Sequence, residues 1–160
     1  MLLNLLKRKE KLKFLDLAVY MIDIDGEPNA VEAKLLDMMF AEMGQDITDE
    51  YTFERSLDIK GTIQFFLDTN RVVKNIVFLN LAKITLVDDL YNTSEHLFLE
   101  EIQRQFEITA EKRRQLMGII YEERDISVIL WLPSENKFFG EDEYHILAWA
   151  EMPEPYKERL

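Results

Sequence analysis

The chain has 160 residues, with 31 acidic against 19 basic side chains and a net charge of −12. This charge repels phosphate backbones, so nucleic acid is excluded as a general partner, and cations or basic proteins fit better. The absence of cysteine excludes disulfides, thiolate zinc sites, iron–sulfur clusters and cysteine nucleophiles. It fits a reducing compartment, and we expect a cytoplasmic protein.

The length and the 48% hydrophobic content predict a single domain over 1–160. We divide it into an N-terminal basic amphipathic helix (1–11), a repeated core (12–117) and a C-terminal helical extension (121–160). No apolar run approaches the roughly 20 residues that a membrane-spanning helix needs.

The N-terminus places four leucines within 2–6 before five basic residues between Lys7 and Lys13. In a signal peptide the charges precede the apolar run, so this order argues against one. We favour a first helix whose leucines dock on the domain, and peripheral membrane contact through this basic helix stays open.

The next apolar residues recur at three- and four-residue steps from Leu12 to Ile22. They predict a helix that is buried on most sides and ends at Gly26. Pro28 fits the start of a second helix, which Gly44 stops.

Two short helices are predicted within 45–70, the first capped by Thr48 or Asp49. A longer helix follows from about Arg71. The next helix is predicted to start with Thr93 as its N-cap and with a histidine where a capping box would place Glu or Gln.

The last part of the chain is predicted to continue as helix after an N-cap at Thr109. The segment 125–132, DISVILWL, has a strand-like composition, but a lone strand would lack a partner. We therefore predict a buried helix there, and a loose acidic tail around Pro153 and Pro155.

One pattern occurs twice, at two acidic corners that join consecutive predicted helices. Its frame is Asp-(Gly/Asp)-x-x-Asn-x-x-Glu, and each residue of the second copy lies 63 positions after its counterpart. The copies are Asp25, Gly26, Asn29 and Glu32, and Asp88, Asp89, Asn92 and Glu95. The repetition predicts one all-α bundle of about seven to eight helices, built from two pseudo-symmetric helix-turn-helix repeats.

The first corner is similar to a calcium loop if Gly26 takes the sixth position of an EF-hand. The first ligand would then be Met21, and in the second corner Ile84, and neither side chain can bind calcium. We therefore reject the EF-hand.

Two interpretations of the corners remain open. The acids can be helix caps, which satisfy free N–H groups and complement the helix dipole. They can also form a shared site for a divalent cation, with oxygen ligands that favour calcium, magnesium or manganese. That site would use Asp25, Glu32, Asp88 and Glu95.

These corners, the alanine-containing helix before the first one and the later sequence QFEITAEKRRQL resemble the TerB-like domain of tellurite resistance proteins. The likeness covers roughly Leu12 to Met117, and Asp89 departs from it, since a glycine is expected there. The resemblance implies two intertwined helical repeats, a metal-chelating acidic face carrying Asp25, Glu32, Asp88 and Glu95, and a link to stress response and membrane-associated complexes.

No catalytic pattern accompanies the corners. Neither His96 nor His145 has a glutamate three residues before it, as a di-iron carboxylate bundle requires. We expect a non-enzymatic TerB-like module that binds a divalent cation in a stress-related context, with a protein partner or a second copy. The alternative is an interaction or scaffold domain whose acidic corners are only helix caps.

Overall fold

The structure is a computed structural model that describes residues 2–24, 26, 29–53, 57–87 and 92–135, with side chains up to 122. Within these ranges the chain forms seven α-helices, one short 3-10 turn and no strand, which confirms the all-α prediction. None of the described helices combines the length and apolar character needed to cross a membrane. The helices are α1 (Arg8–Asp23), α2 (Ala30–Met43), α3 (Gln45–Glu50), α4 (Ile59–Leu67), α5 (Arg71–Leu86), α6 (Thr93–Gln105) and α7 (Ala110–Glu135).

The chain divides into two compact units, 1–113 and 114–160. The first unit contains α1 to α6 and the beginning of α7. The single-domain prediction over 1–160 stays a prediction.

The core of the first unit is built around α1 and α5. These helices have 16 residues each and pack against one another, and α1 also contacts α2, α3, α4 and α6. Nine residues of each are buried, including the unbroken runs 14–19 and 76–82. Consecutive buried residues point to all sides of a helix, so both helices are enclosed, as the apolar pattern of α1 predicts.

The N-terminus differs from the predicted separate helix over 1–11. Residues Leu3–Leu5 form a 3-10 turn, Lys7 is extended, and α1 begins at Arg8. The Glu10 carboxylate accepts a hydrogen bond of 2.9 Å from the Lys7 N–H, which fixes the start of α1 at this point. Leu3 and Leu6 are buried, so two of the leucines dock on the domain as predicted.

Gly44 ends α2 with φ at 108°, which confirms it as the stop signal. The predicted cap of the following helix at Thr48 or Asp49 is wrong, because α3 starts at Gln45 and contains both residues. Gly44 itself is the N-cap of α3, so one glycine ends one helix and starts the next. The Thr48 hydroxyl donates to the Gly44 carbonyl at 3.2 Å.

The start of α5 at Arg71 is confirmed, as is the N-cap of α7 at Thr109, whose hydroxyl accepts from the Lys112 N–H at 3.1 Å. The predicted N-cap at Thr93 is wrong by one residue, because the side chain of Asn92 caps α6. The segment 125–132 is helical within α7, and residues beyond 135 lie outside the described part of the chain.

Candidate functional site

The first acidic corner ends in a reciprocal pair of hydrogen bonds. The Glu32 N–H donates to Oδ1 of Asn29 at 2.9 Å, and the Asn29 N–H donates to Oε2 of Glu32 at 3.0 Å. Asn29 is the N-cap of α2 and Glu32 is its third residue, so the two form a capping box. Glu32 is only 4% exposed, and its carboxylate faces the positive end of the helix dipole.

The second corner places the corresponding residues at the start of α6. Oδ1 of Asn92 accepts from the Glu95 N–H at 3.1 Å, and Glu95 is 3% exposed. Both glutamates are therefore buried at the third position of a helix that is capped by an asparagine three residues earlier. The repeated frame is visible in the sequence, although the predicted cap of α6 was Thr93.

The remaining two predicted ligands, Asp25 and Asp88, lie outside the described residues. Among the residues that are described, no group of three or more acidic or histidine side chains is arranged to hold a metal ion. At the second corner, Nε2 of His96 lies 3.1 Å from Oε1 of Glu100, one helical turn away.

The N-terminal cations form a second candidate region, because the sequence leaves peripheral membrane contact through them open. The structure uses three of them within the first unit. The guanidinium of Arg8 pairs with Glu50, Nζ of Lys9 lies 5.4 Å from the ring centre of Phe65, and Nζ of Lys11 donates to the Met43 carbonyl at 3.0 Å. Lys11 thereby caps the C-terminal end of α2, where a cation also complements the helix dipole.

A third region was not found from the sequence. It is a half-open depression of about 350 Å³ beside the N-terminal ends of α1 and α5, which we call the α1/α5 depression. Leu5 and Val72, 63% and 62% exposed, form its apolar rim, and Val73 and Ile76 also line it. Its charged side chains are Lys7, Glu10 and Asp68. Its lining residues come from 5–10 and 68–76, two segments that are distant in sequence, so no local sequence pattern predicts it.

One surface carboxylate has a perturbed acidity. Arg104 and, secondarily, Gln105 donate hydrogen bonds to Glu101 and lower the pKa of its carboxyl, and the same pairing raises the pKa of Arg104. The three residues lie along one face of α6, so this is a local helix-surface interaction.

Comparison of the chain with family models, with curated proteins and with solved structures gives no match. The assignment of a class of protein therefore depends on the geometry of the chain itself.

Proposed function

We propose that the chain is a non-enzymatic helical interaction module in which the acids of the two corners act as helix caps. The observation that supports this is the capping box between Asn29 and Glu32, which uses the buried glutamate to start α2. A carboxylate engaged in this way stabilises the fold without any ligand. The net charge of −12 then favours basic partners.

The two-repeat architecture belongs to the same proposal. Helix α5 begins and ends 63 residues after α1, and α6 begins 63 residues after α2. The asparagine caps of α2 and α6 have the same separation. Equal spacing of helices, caps and buried glutamates supports two pseudo-symmetric helix-turn-helix units, as the TerB-like resemblance implies.

The interaction function can be tested by cross-linking the full chain in the cells that make it, followed by mass spectrometry. We expect cross-links from the same few positions of the first unit to one partner, or to a second copy of the chain. These cross-links should persist when the chain is expressed at a low level. A chain that sediments as a monomer and gives no intermolecular cross-links above background would contradict the proposal.

A second candidate function is binding of a divalent cation by Asp25, Glu32, Asp88 and Glu95. The observation that favours it is that Glu32 and Glu95 are both buried and hold the same helix position. The cap of α2 uses Oε2 of Glu32, so a cation would be coordinated through Oε1. Calcium, magnesium and manganese fit such ligands, and the tellurite and stress context would follow the TerB-like resemblance.

Thermal melting separates this candidate from the first. If the corners bind a cation, millimolar Ca²⁺, Mg²⁺ or Mn²⁺ raises the Tm of the wild type and leaves the Asp25→Asn/Asp88→Asn variant unchanged. Equal Tm values with and without each metal would exclude the cation candidate.

A further inference from the structure

We propose that the exposed face of α2 forms a two-fold symmetric contact with the same face of a second copy of the chain. This inference names the partner of the interaction module and rests on that proposed function. Seven residues of α2 are exposed, and five of them are apolar. They are Ala30, Val31, Ala33, Lys34, Asp37, Met38 and Ala41. The outer face of a surface helix is normally polar, so this composition is unusual for a face in contact with water.

Helix α6, the counterpart of α2 in the proposed repeat, differs on its outer face. Its exposed residues are Thr93, Ser94, Leu97, Glu100 and Arg104, so one of five is apolar. The two helices share the asparagine cap and the buried glutamate at the third position. The helix-turn-helix unit therefore does not require an apolar outer face, and α2 has acquired one for another reason.

Four of the exposed residues of α2 have the spacing of a helix–helix seam. They are separated by four, three and four residues, as the a and d positions of a heptad are: Ala30, Lys34, Asp37 and Ala41. Residues with this spacing lie along one line of the helix. The alanines at both ends of the line have small side chains, which allow a second helix to approach closely.

The charges in this seam select an antiparallel second copy of α2. A two-fold axis at the middle of the seam places Lys34 of one copy opposite Asp37 of the other, and the symmetry produces this ion pair twice. The same axis places Ala30 opposite Ala41. A parallel pair would instead place lysine against lysine and aspartate against aspartate, which is unfavourable. The face is therefore complementary to itself in one direction only.

Both charges are available for this pairing. Lys34 and Asp37 are exposed, and neither forms a hydrogen bond or an ion pair with another described residue. The carboxylates of Glu32 and Glu42 accept hydrogen bonds from backbone N–H groups of the same unit. The exposed residues of α2 thus carry no net charge, although the whole chain carries −12. A second copy meets less repulsion at this face than at an acidic one.

The seam covers only about three turns of helix, so we expect a weak, reversible dimer. Sedimentation velocity of the full chain, from low micromolar to submillimolar concentration, measures it. An ionic strength of about 0.15 M is used, because it screens repulsion between charges more than about 8 Å apart.

The test variants exchange the two charges of the seam. They are Lys34→Asp, Asp37→Lys and the double exchange Lys34→Asp/Asp37→Lys. The control is Lys60→Asp, which replaces an exposed lysine of α4 and makes the same change in net charge as Lys34→Asp. Circular dichroism checks that every variant is folded.

We expect each single exchange to weaken the dimer by about tenfold or more, because it places like charges opposite each other twice. The double exchange restores both ion pairs, so its dissociation constant should return to within about threefold of the wild type, as should that of Lys60→Asp. Asp37→Lys separates the seam from general repulsion. It reduces the negative charge of the chain, so general repulsion alone predicts a tighter dimer.

A wild type that stays monomeric over this range would overturn the contact between copies. A dimer that the single exchanges leave unchanged, or that Lys60→Asp weakens as much as Lys34→Asp does, would overturn the assignment to α2. A folded double variant that does not recover dimerisation would overturn the antiparallel pairing. In each case, cross-links from the first unit to a different protein would still support the interaction function.

Discussion

The hydroxyl of Tyr51 donates a hydrogen bond of 3.0 Å to Oδ1 of Asp16, and both side chains are buried. This contact ties the segment after α3 to the middle of α1, 35 residues earlier. Because the hydrogen bond involves a buried carboxylate, removal of the Tyr51 hydroxyl lowers the stability of the fold more than the loss of a surface contact does.

Tyr51→Phe is therefore expected to lower the free energy of unfolding by about 1–3 kcal/mol. Asp16→Asn keeps an acceptor oxygen at the same place, so it should lower the free energy of unfolding by less than Tyr51→Phe does. Urea denaturation followed by circular dichroism measures both. If Tyr51→Phe unfolds at the wild-type midpoint, the bond contributes nothing to stability.

The asparagine caps provide a second test, because three helices of the first unit use the same device. Asn29, Asn70 and Asn92 each accept the N–H of the residue three positions later. Replacing any one of them with alanine should cost about 0.5–2 kcal/mol, whereas aspartate should preserve the cap. Melting curves of the alanine and aspartate variants measure this difference. Equal losses for alanine and aspartate would argue against capping.

Gly44 is expected to resist substitution. Its φ of 108° is unfavourable for any residue with a Cβ, and a Cβ there would lie 2.9 Å from Oδ1 of Asp46. Gly44→Ala should destabilise the chain by about 1–3 kcal/mol. The control is Gly118→Ala within α7, where a Cβ meets nothing within 4 Å, and alanine should be neutral or stabilising by up to about 1 kcal/mol. Equal effects of the two substitutions would contradict the conformational argument.

The sequence predicted most of the helices, because their signals are local. The apolar steps of α1, the stop at Gly44 and the cap at Thr109 depend on residues that lie within one or two turns of each other. The cap of α6 was missed because Asn92 and Thr93 are adjacent and both residue types are suitable caps. Asn92 is the one that takes the extended conformation, and propensity alone does not choose between the two.

The α1/α5 depression could not be predicted for a different reason. Its rim joins Leu5 to Val72, which are brought together only when α1 packs against α5. The partners of the N-terminal basic cluster could not be predicted for the same reason, since Glu50 and Met43 lie more than 30 residues from Arg8 and Lys11. Pairwise contacts over such separations leave no periodic pattern in the sequence.

The acidity of Glu101 gives a prediction for the pH dependence of stability. Its pKa is lowered below the ordinary value of 4.5 by the hydrogen bond from Arg104 and then by that from Gln105. The unfolded chain therefore binds a proton at a higher pH than the folded chain does. The contribution of Glu101 to the stability of the fold is present above pH 4.5 and is lost as the pH falls through the lowered pKa.

Arg104→Gln should raise the pKa of Glu101 toward its ordinary value, as measured by an NMR titration of the side-chain carboxyl. Because the pair is exposed, the change in stability should be small. Lys112→Gln, a charge removal on another helix, is the control and should leave the titration unchanged. A Glu101 pKa that is the same in wild type and Arg104→Gln would contradict the assignment to Arg104.

The central claim is that Glu32 completes the capping box of α2 and that neither Glu32 nor Glu95 binds a metal. Isothermal titration of Ca²⁺, Mg²⁺ and Mn²⁺ into the wild type and into Glu32→Gln/Glu95→Gln tests it most directly. We expect no saturable heat in either protein, with both still folded by circular dichroism. Saturable heat in the wild type that disappears in the folded double variant would contradict the claim and establish the cation site.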